Sequence, residues 1–328
     1  MKAGSRVGLY AAGLAVVFAA SAATAGAVVP EESVAAWTNS VEDSEMEHGA
    51  TAHDEHPAAT GAGAVRGLSL EQDGYLLGEV AAPAEVGSAG ELSFRITGPD
   101  GEPLTDYAVS HDKALHLIVV RSDGSQFRHE HPTMGADGVW SLPWIWDAAG
   151  TYRVLADFVP ADTAEGQDVT LTRTVEVAGD YDPVPAAETS LTSTVDGFDV
   201  TLSGDLQAGT TSELAVDVSR DGEPVTTLEP YLGAFGHLVA LREGDLAYLH
   251  VHPEGDEPRS GEVSGPTVTF MTEAPTEGRY LLYLDFQVDG QVRTATFAVD
   301  TTEPASTSEP AGATDTATDG HGNEDHGH

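Results

Sequence analysis

The sequence predicts an all-β chain: two tandem immunoglobulin-like antiparallel β-sandwich domains between disordered N- and C-terminal tails. Three observations carry that expectation. Short runs rich in β-branched and aromatic residues alternate with Gly, Pro and Asp turn signals, and no segment holds a long helical period. The stretch His116 to Pro132, HLIVVRSDGSQFRHEHP, returns as His237 to Pro253, HLVALREGDLAYLHVHP, with identical spacing. The repeat also extends outward. Asp100-Gly101-Glu102-Pro103 matches Asp221-Gly222-Glu223-Pro224, and Gly150-Thr151-Tyr152 with Asp157-Phe158 matches Gly278-Arg279-Tyr280 with Asp285-Phe286. A chain of 328 residues suits two such domains with tails.

Residues 1–27 read as a secretory signal peptide. Lys2 and Arg6 start it, Val7 to Ala20 is its apolar core, and Ala23-Thr24-Ala25 is a small-x-small cleavage site. Residues 28–65 form an acidic linker with His48, His53 and His56, lacking periodicity. Residues 66–179 are the first sandwich and 180–187, with Tyr181-Asp182-Pro183-Val184-Pro185, the inter-domain linker. Residues 188–300 are the second sandwich, and 301–328 a tail with His321, His326 and His328. The histidines of the two tails read equally as weak metal gatherers or as parts of soluble low-complexity ends.

In the first sandwich, Pro143 marks an edge or bulge in the strand around Trp140 to Trp146. Alternation puts Trp140, Trp144 and Trp146 on one face, as core or as a shield over a site. The Gly-x-Tyr strands read as central core strands in both repeats. Asp157 and Asp285 interrupt them. A buried unpaired carboxylate is costly, so each reads as a metal ligand, as a partner orienting an imidazole, or as a solvent-facing residue.

The repeated stretch is a hairpin. With Asp123-Gly124 and Gly244-Asp245 as two-residue loops, Ile118 pairs with His129 and His116 with His131. Opposed residues share a face and side chains alternate with period two. One face then carries His116, Ile118, Val120, Phe127, His129 and His131, and Glu130 points away from it. The matching face of the second copy carries His237, Val239, Leu241, Tyr248, His250 and His252. Each hairpin thus gathers three imidazoles at its open end. Three neutral imidazoles with a free position describe many zinc and copper sites. His111 has no counterpart, since Leu232 aligns with it; it reads as a fourth ligand of the first site or as a loop residue. Met134 reads as a thioether ligand or as packing. The first site is expected to bind metal better.

The stretch HDKALHLIVVRSDGSQFRHEHP resembles secreted actinobacterial-type proteins with an H-D-K-x-L-H-L-x-V-V-R…F-x-H-x-H-P motif. Those are similar in architecture to the YtkA-like and CopC-like extracytoplasmic domains. The match is close over the first hairpin and looser over the second, at His237, Arg242, Tyr248, His250 and His252. The resemblance implies extracytoplasmic copper or heavy-metal handling.

Composition narrows the classes further. With 54 acidic against 14 basic residues the formal charge is -40, which repels nucleic acid and anionic membranes and attracts cations. Adaptation to salt or high pH explains the same charge. No cysteine is present, excluding disulfides and thiolate sites. No nucleophile elbow, phosphate loop, dinucleotide fingerprint or HExxH helix is present, so an enzyme is not expected. No membrane span is expected after the signal. The expectation is a secreted protein binding copper first and zinc second, for metal buffering or for delivery to an extracytoplasmic or membrane metal-handling protein. The alternative is an extracellular interaction or scaffold module whose histidines are structural or pH-responsive.

Overall fold

The computed structural model describes residues 65–161, 167–186, 188–249, 251–259 and 261–302. The signal-peptide, acidic-linker and C-terminal-tail expectations therefore lie outside the described residues. Among those described, all regular structure is β-strand, and no helix is long and apolar enough to cross a membrane.

The first repeat runs β1 (Glu71–Gln72), β2 (Tyr75–Leu77), β3 (Gly90–Thr97), β4 (Tyr107–Ala108), β5 (His116–Arg121), β6 (Arg128–Glu130), β7 (Thr133–Met134), β8 (Val139–Trp144), β9 (Gly150–Pro160) and β10 (Val169–Val177). The second runs β11 (Thr192–Val195), β12 (Phe198–Ser203), β13 (Thr211–Arg220), β14 (Glu223–Pro224), β15 (His237–Arg242), β16 (Tyr248–Leu249), β17 (Val251–Pro253), β18 (Thr267–Glu273), β19 (Arg279–Val288) and β20 (Gln291–Asp300). Each repeat is two facing antiparallel sheets. They are β1-β2-β3-β8-β7 against β10-β9-β5-β6 in the first, and β11-β12-β13-β18-β17 against β16-β15-β19-β20 in the second.

Alternation explains the cores. Leu92, Phe94 and Ile96 on β3 face Leu117 and Val119 on β5 and Tyr152, Val154 and Ala156 on β9. Trp140, Trp144 and Trp146 belong to that same core, and Met134 packs against it. Pro143 pairs with Glu91 of β3, while β7 reaches only Ser141 and Trp140, so the proline sits where β8 has a free edge. β9 and β19 are interior strands, flanked by β10 and β5 and by β20 and β15.

The apolar runs of β5 and β15 are buried on both faces. Leu117 and Val119 fill the first sandwich and Leu238 and Ala240 the second. Their alternates Ile118, Val120, Val239 and Leu241 join Leu155, Leu246, Tyr248, Leu281, Tyr283 and Ala298 in a third core between the repeats. The contact is reciprocal. Tyr283 stacks on Phe127 with centroids 3.9 Å apart and donates to Gly124 O at 2.6 Å. Tyr248 reaches Asp157 and pairs through its backbone with Arg66.

Both hairpins keep the expected register but not the expected loops. Ile118 opposes His129 and Leu241 opposes Tyr248. In the first copy Gly124 N donates to Arg121 O, Arg121 N donates to Ser125 O, and Gln126 at φ 56° absorbs the extra residue. In the second, Arg242 N donates to Ala247 O around the four residues 243–246. The buried Arg121 explains part of the difference. It grips Asp123, the carbonyls of Ala149 and Asp182, and the ring of Tyr181, so the linker is tied to the first turn.

Candidate metal centre

His116 opens β5 and is buried, and His129 lies on β6 with its side chain 4% exposed. His131 follows β6. Their ring nitrogens converge: His116 Nδ1 lies 3.1 Å from His129 Nε2 and 3.2 Å from His131 Nε2. One nitrogen from each ring lies within 4.8 Å of the others. Two nitrogens bound to one tetrahedral ion at about 2.0–2.1 Å stand roughly 3.3 Å apart. The observed spacing is close to that of ligands around an ion.

Hydrogen bonds on the far side of each ring assign the tautomers. His116 Nε2 faces Ser110 O at 3.1 Å, and a carbonyl can only accept, so Nε2 carries the hydrogen. His129 Nδ1 faces Asp285 Oδ2 at 3.0 Å and donates to that carboxylate. When both rings are neutral, His116 Nδ1 and His129 Nε2 are therefore bare lone pairs aimed at each other.

Electrostatics keeps His116 and His131 in their ligand form. Burial first, and the neighbouring His129 second, push the His116 imidazole down to about 3. Burial, then His129 and His116, push His131 down to about 2. His237 falls to about 4 by burial, then by His129 and His111. Metal binding requires deprotonated imidazole, and these three are neutral through the neutral pH range.

The other expected ligands sit differently. His237 repeats the posture of His116, with Nε2 donating to Tyr231 O at 3.0 Å and Leu232 O at 2.9 Å. Its ring lies 6.4 Å from those of His116 and His129, against 4.9–5.3 Å within the triad. His111 occupies a tight turn at φ 50° and its ring adjoins His237 at 5.2 Å and His116 at 6.1 Å. Both border a cavity of about 40 Å³ shared with His116, His129, Asp157 and Tyr248, room for a water or an ion. His250 lies outside the described residues. The backbone of His252 pairs with Met271 of β18, in the sheet opposite that of His237.

Neither aspartate faces solvent, which corrects that alternative. Asp157 and Asp285 are 7% and 4% exposed, opposite His116 and His237 on the neighbouring strands. They share the parity of Leu155 and Tyr283, so they point into the inter-repeat core. Asp157 accepts from Thr170 at 2.7 Å and Tyr248 at 3.2 Å. Asp285 accepts from Thr294 and from His129 of the other repeat. Glu130 pairs with Arg128, away from the triad. Sequence reasoning did not find this cross-repeat link, nor the hydrogen bonds of His116 to Ser110 and of Tyr248 to Asp157. The signal available was that β5 and β15 are apolar on both parities.

One family model matches the sequence twice, over residues 71–182 and 193–303. The chain belongs to this family. DUF8832 is described as a domain of unknown function, and its two copies here correspond to the two sandwiches. No curated protein matches the sequence. Solved structures similar to this DUF8832 pair include invasin, a bacterial integrin-binding protein, at 15% identity over 70% of this chain and 39% of that one, with a TM-score of 0.21. A Salmonella alpha-2-macroglobulin mutant is 16% identical over 77% and 16% of the chains, with a TM-score of 0.24. A putative membrane anchored protein from Corynebacterium diphtheriae is 10% identical over 71% and 60%, with a TM-score of 0.21. This chain thus spans well under half of the first two, and likenesses this distant assign no function.

Proposed function

We propose that this chain is a secreted, extracytoplasmic metal-binding protein, not an enzyme, whose centre is His116, His129 and His131. One observation carries the reading: two ring nitrogens, each with its partner nitrogen already donating to oxygen, face each other at 3.1 Å. A metal ion resolves that opposition and takes His131 as a third ligand. Copper is the first candidate and zinc the second, because imidazole sets rank copper(II) above zinc. The acidic chain attracts the cation, and the partly exposed His131 suits a buffering or delivery role toward an extracytoplasmic or membrane metal-handling partner. His237 and His111 flank the centre, and His250 and His252 would add a second, weaker locus.

A shared proton also resolves the opposition, which is the form the interaction-module alternative takes. Thermal unfolding of the full chain with and without copper(II) or zinc separates the two, using His116→Ala/His129→Ala as the background for the His-bearing tails. A midpoint that rises with metal, and rises less in the double variant, supports the centre. Equal shifts in both proteins, or none, overturn it and leave a proton-bridged cluster.

A further inference from the structure

We infer that Asp285, a residue of the second repeat, makes the first repeat's triad selective for divalent over monovalent ions. The inference rests on the proposed metal centre and concerns which charge class it holds. Three neutral imidazoles carry no charge of their own, and such a set accepts copper(I) as well as copper(II) or zinc. The charge nearest to the ligands must then decide. Asp285 Oδ2 accepts from His129 Nδ1 at 3.0 Å, placing a carboxylate one imidazole away from the ligating Nε2. The Asp285 side chain is 5% exposed and that of His129 4%, so solvent and salt screen the field weakly.

By Coulomb's law the attraction of that carboxylate for an ion of charge +2 is twice that for +1. The same hydrogen bond fixes the His129 tautomer and ring orientation, which is how an outer carboxylate positions a ligand imidazole. Thr294 Oγ1 donates to the other oxygen at 2.5 Å, holding the carboxylate in place. The homologous Asp157 accepts from Thr170 and Tyr248. Asp285 is accordingly a positioning and selectivity residue reached only across the repeat boundary.

The test uses the full chain, with zinc(II) and copper(I) affinities measured by competition against chelators, and His116→Ala as the tail background. Asp285→Asn keeps the shape and removes the charge. Zinc(II) affinity is expected to fall about 10- to 100-fold, the usual cost of losing such a partner, and copper(I) affinity, feeling half the attraction, by the square root of that factor, about 3- to 10-fold. An equal fall for both ions overturns the selectivity role and leaves Asp285 as a structural group. No fall for either overturns its link to the centre. If melting of the metal-free variant shows that it does not fold, Thr294→Val loosens the carboxylate without removing it. A smaller loss, greater for zinc(II) than for copper(I), then supports the inference, and any other pattern overturns it. A wild-type chain with no more affinity than His116→Ala sinks the metal centre itself, a result distinct from all of these.

Discussion

The two repeats carry the same hairpin and use it differently. In the first, the returning strand stays beside β5 as far as Glu130, which pairs with Leu117, and this holds His129 and His131 near His116. In the second, the residue aligned with Glu130 is Val251. It is buried in the second sandwich's own core and pairs with Thr272 of β18, so the strand has already left β15's sheet when His252 is reached. A polar residue at that position lets the first strand linger at the repeat boundary. An apolar one draws the second strand inward. Duplication gave two scaffolds, and among the described residues the triad stands in one of them. The other repeat contributes what lies around it: Asp285 on His129, and His237 beside the cavity.

The largest expected effect breaks that asymmetry directly. His116→Ala is expected to lower metal affinity at least ~100-fold, since it removes the nitrogen common to both short contacts. His237→Ala, in the equivalent place, should cost less than about tenfold. Isothermal titration of both variants reads the contrast, and equal losses would mean that the two repeats share the site evenly.

The turns offer a second contrast. A Cβ on Gly124, at φ +78°, would lie 2.3 Å from Leu281 Cδ1 across the repeat boundary, while one on Gly244, at φ +99°, meets nothing within 4 Å. Gly124→Ala is expected to cost about 2–4 kcal/mol from backbone strain plus overpacking, and Gly244→Ala about 1–2 kcal/mol from strain alone. Urea unfolding of the two variants measures the difference.

Acid should act through the same cluster. His116, His131 and His237 are held at about 3, about 2 and about 4 when folded, against roughly 6.5 in the unfolded chain. The unfolded state therefore binds more protons below pH 6.5. The stability these groups contribute to the metal-free protein is complete above that pH and is lost progressively as pH falls through the window down to the folded values. Midpoints measured between pH 7.5 and 4 should fall with pH, and less steeply in His116→Ala. A flat profile would show that burial does not keep these rings neutral.

The smallest effect concerns the residue that replaces Phe127 in the second copy. Tyr248→Phe keeps the ring packing of the inter-repeat core and removes a hydrogen bond to Asp157. It should cost about 1–2 kcal/mol of stability with metal affinity unchanged. A change in affinity would place Tyr248 in the centre's support.

Much of this was legible in the chain. Alternation is a local property of extended backbone, so the sharing of one face by His116, Ile118, His129 and His131 follows from spacing alone. The register survived even though both turns differ from two-residue loops, because Gln126 in one copy and a four-residue loop in the other restore the same pairing. The all-β class and the duplication were likewise written in turn signals and repeated motifs. What covers a face is decided by packing between segments far apart in sequence, and spacing carries no measure of it. Only the tertiary structure showed that the histidine face meets the other repeat, that Asp285 lies 156 residues from His129 yet bonds to it, and that Val251 turns the second strand into its own core. The sequence determined which side chains stand together on each strand. Burial against a partner surface decided which of them become a site.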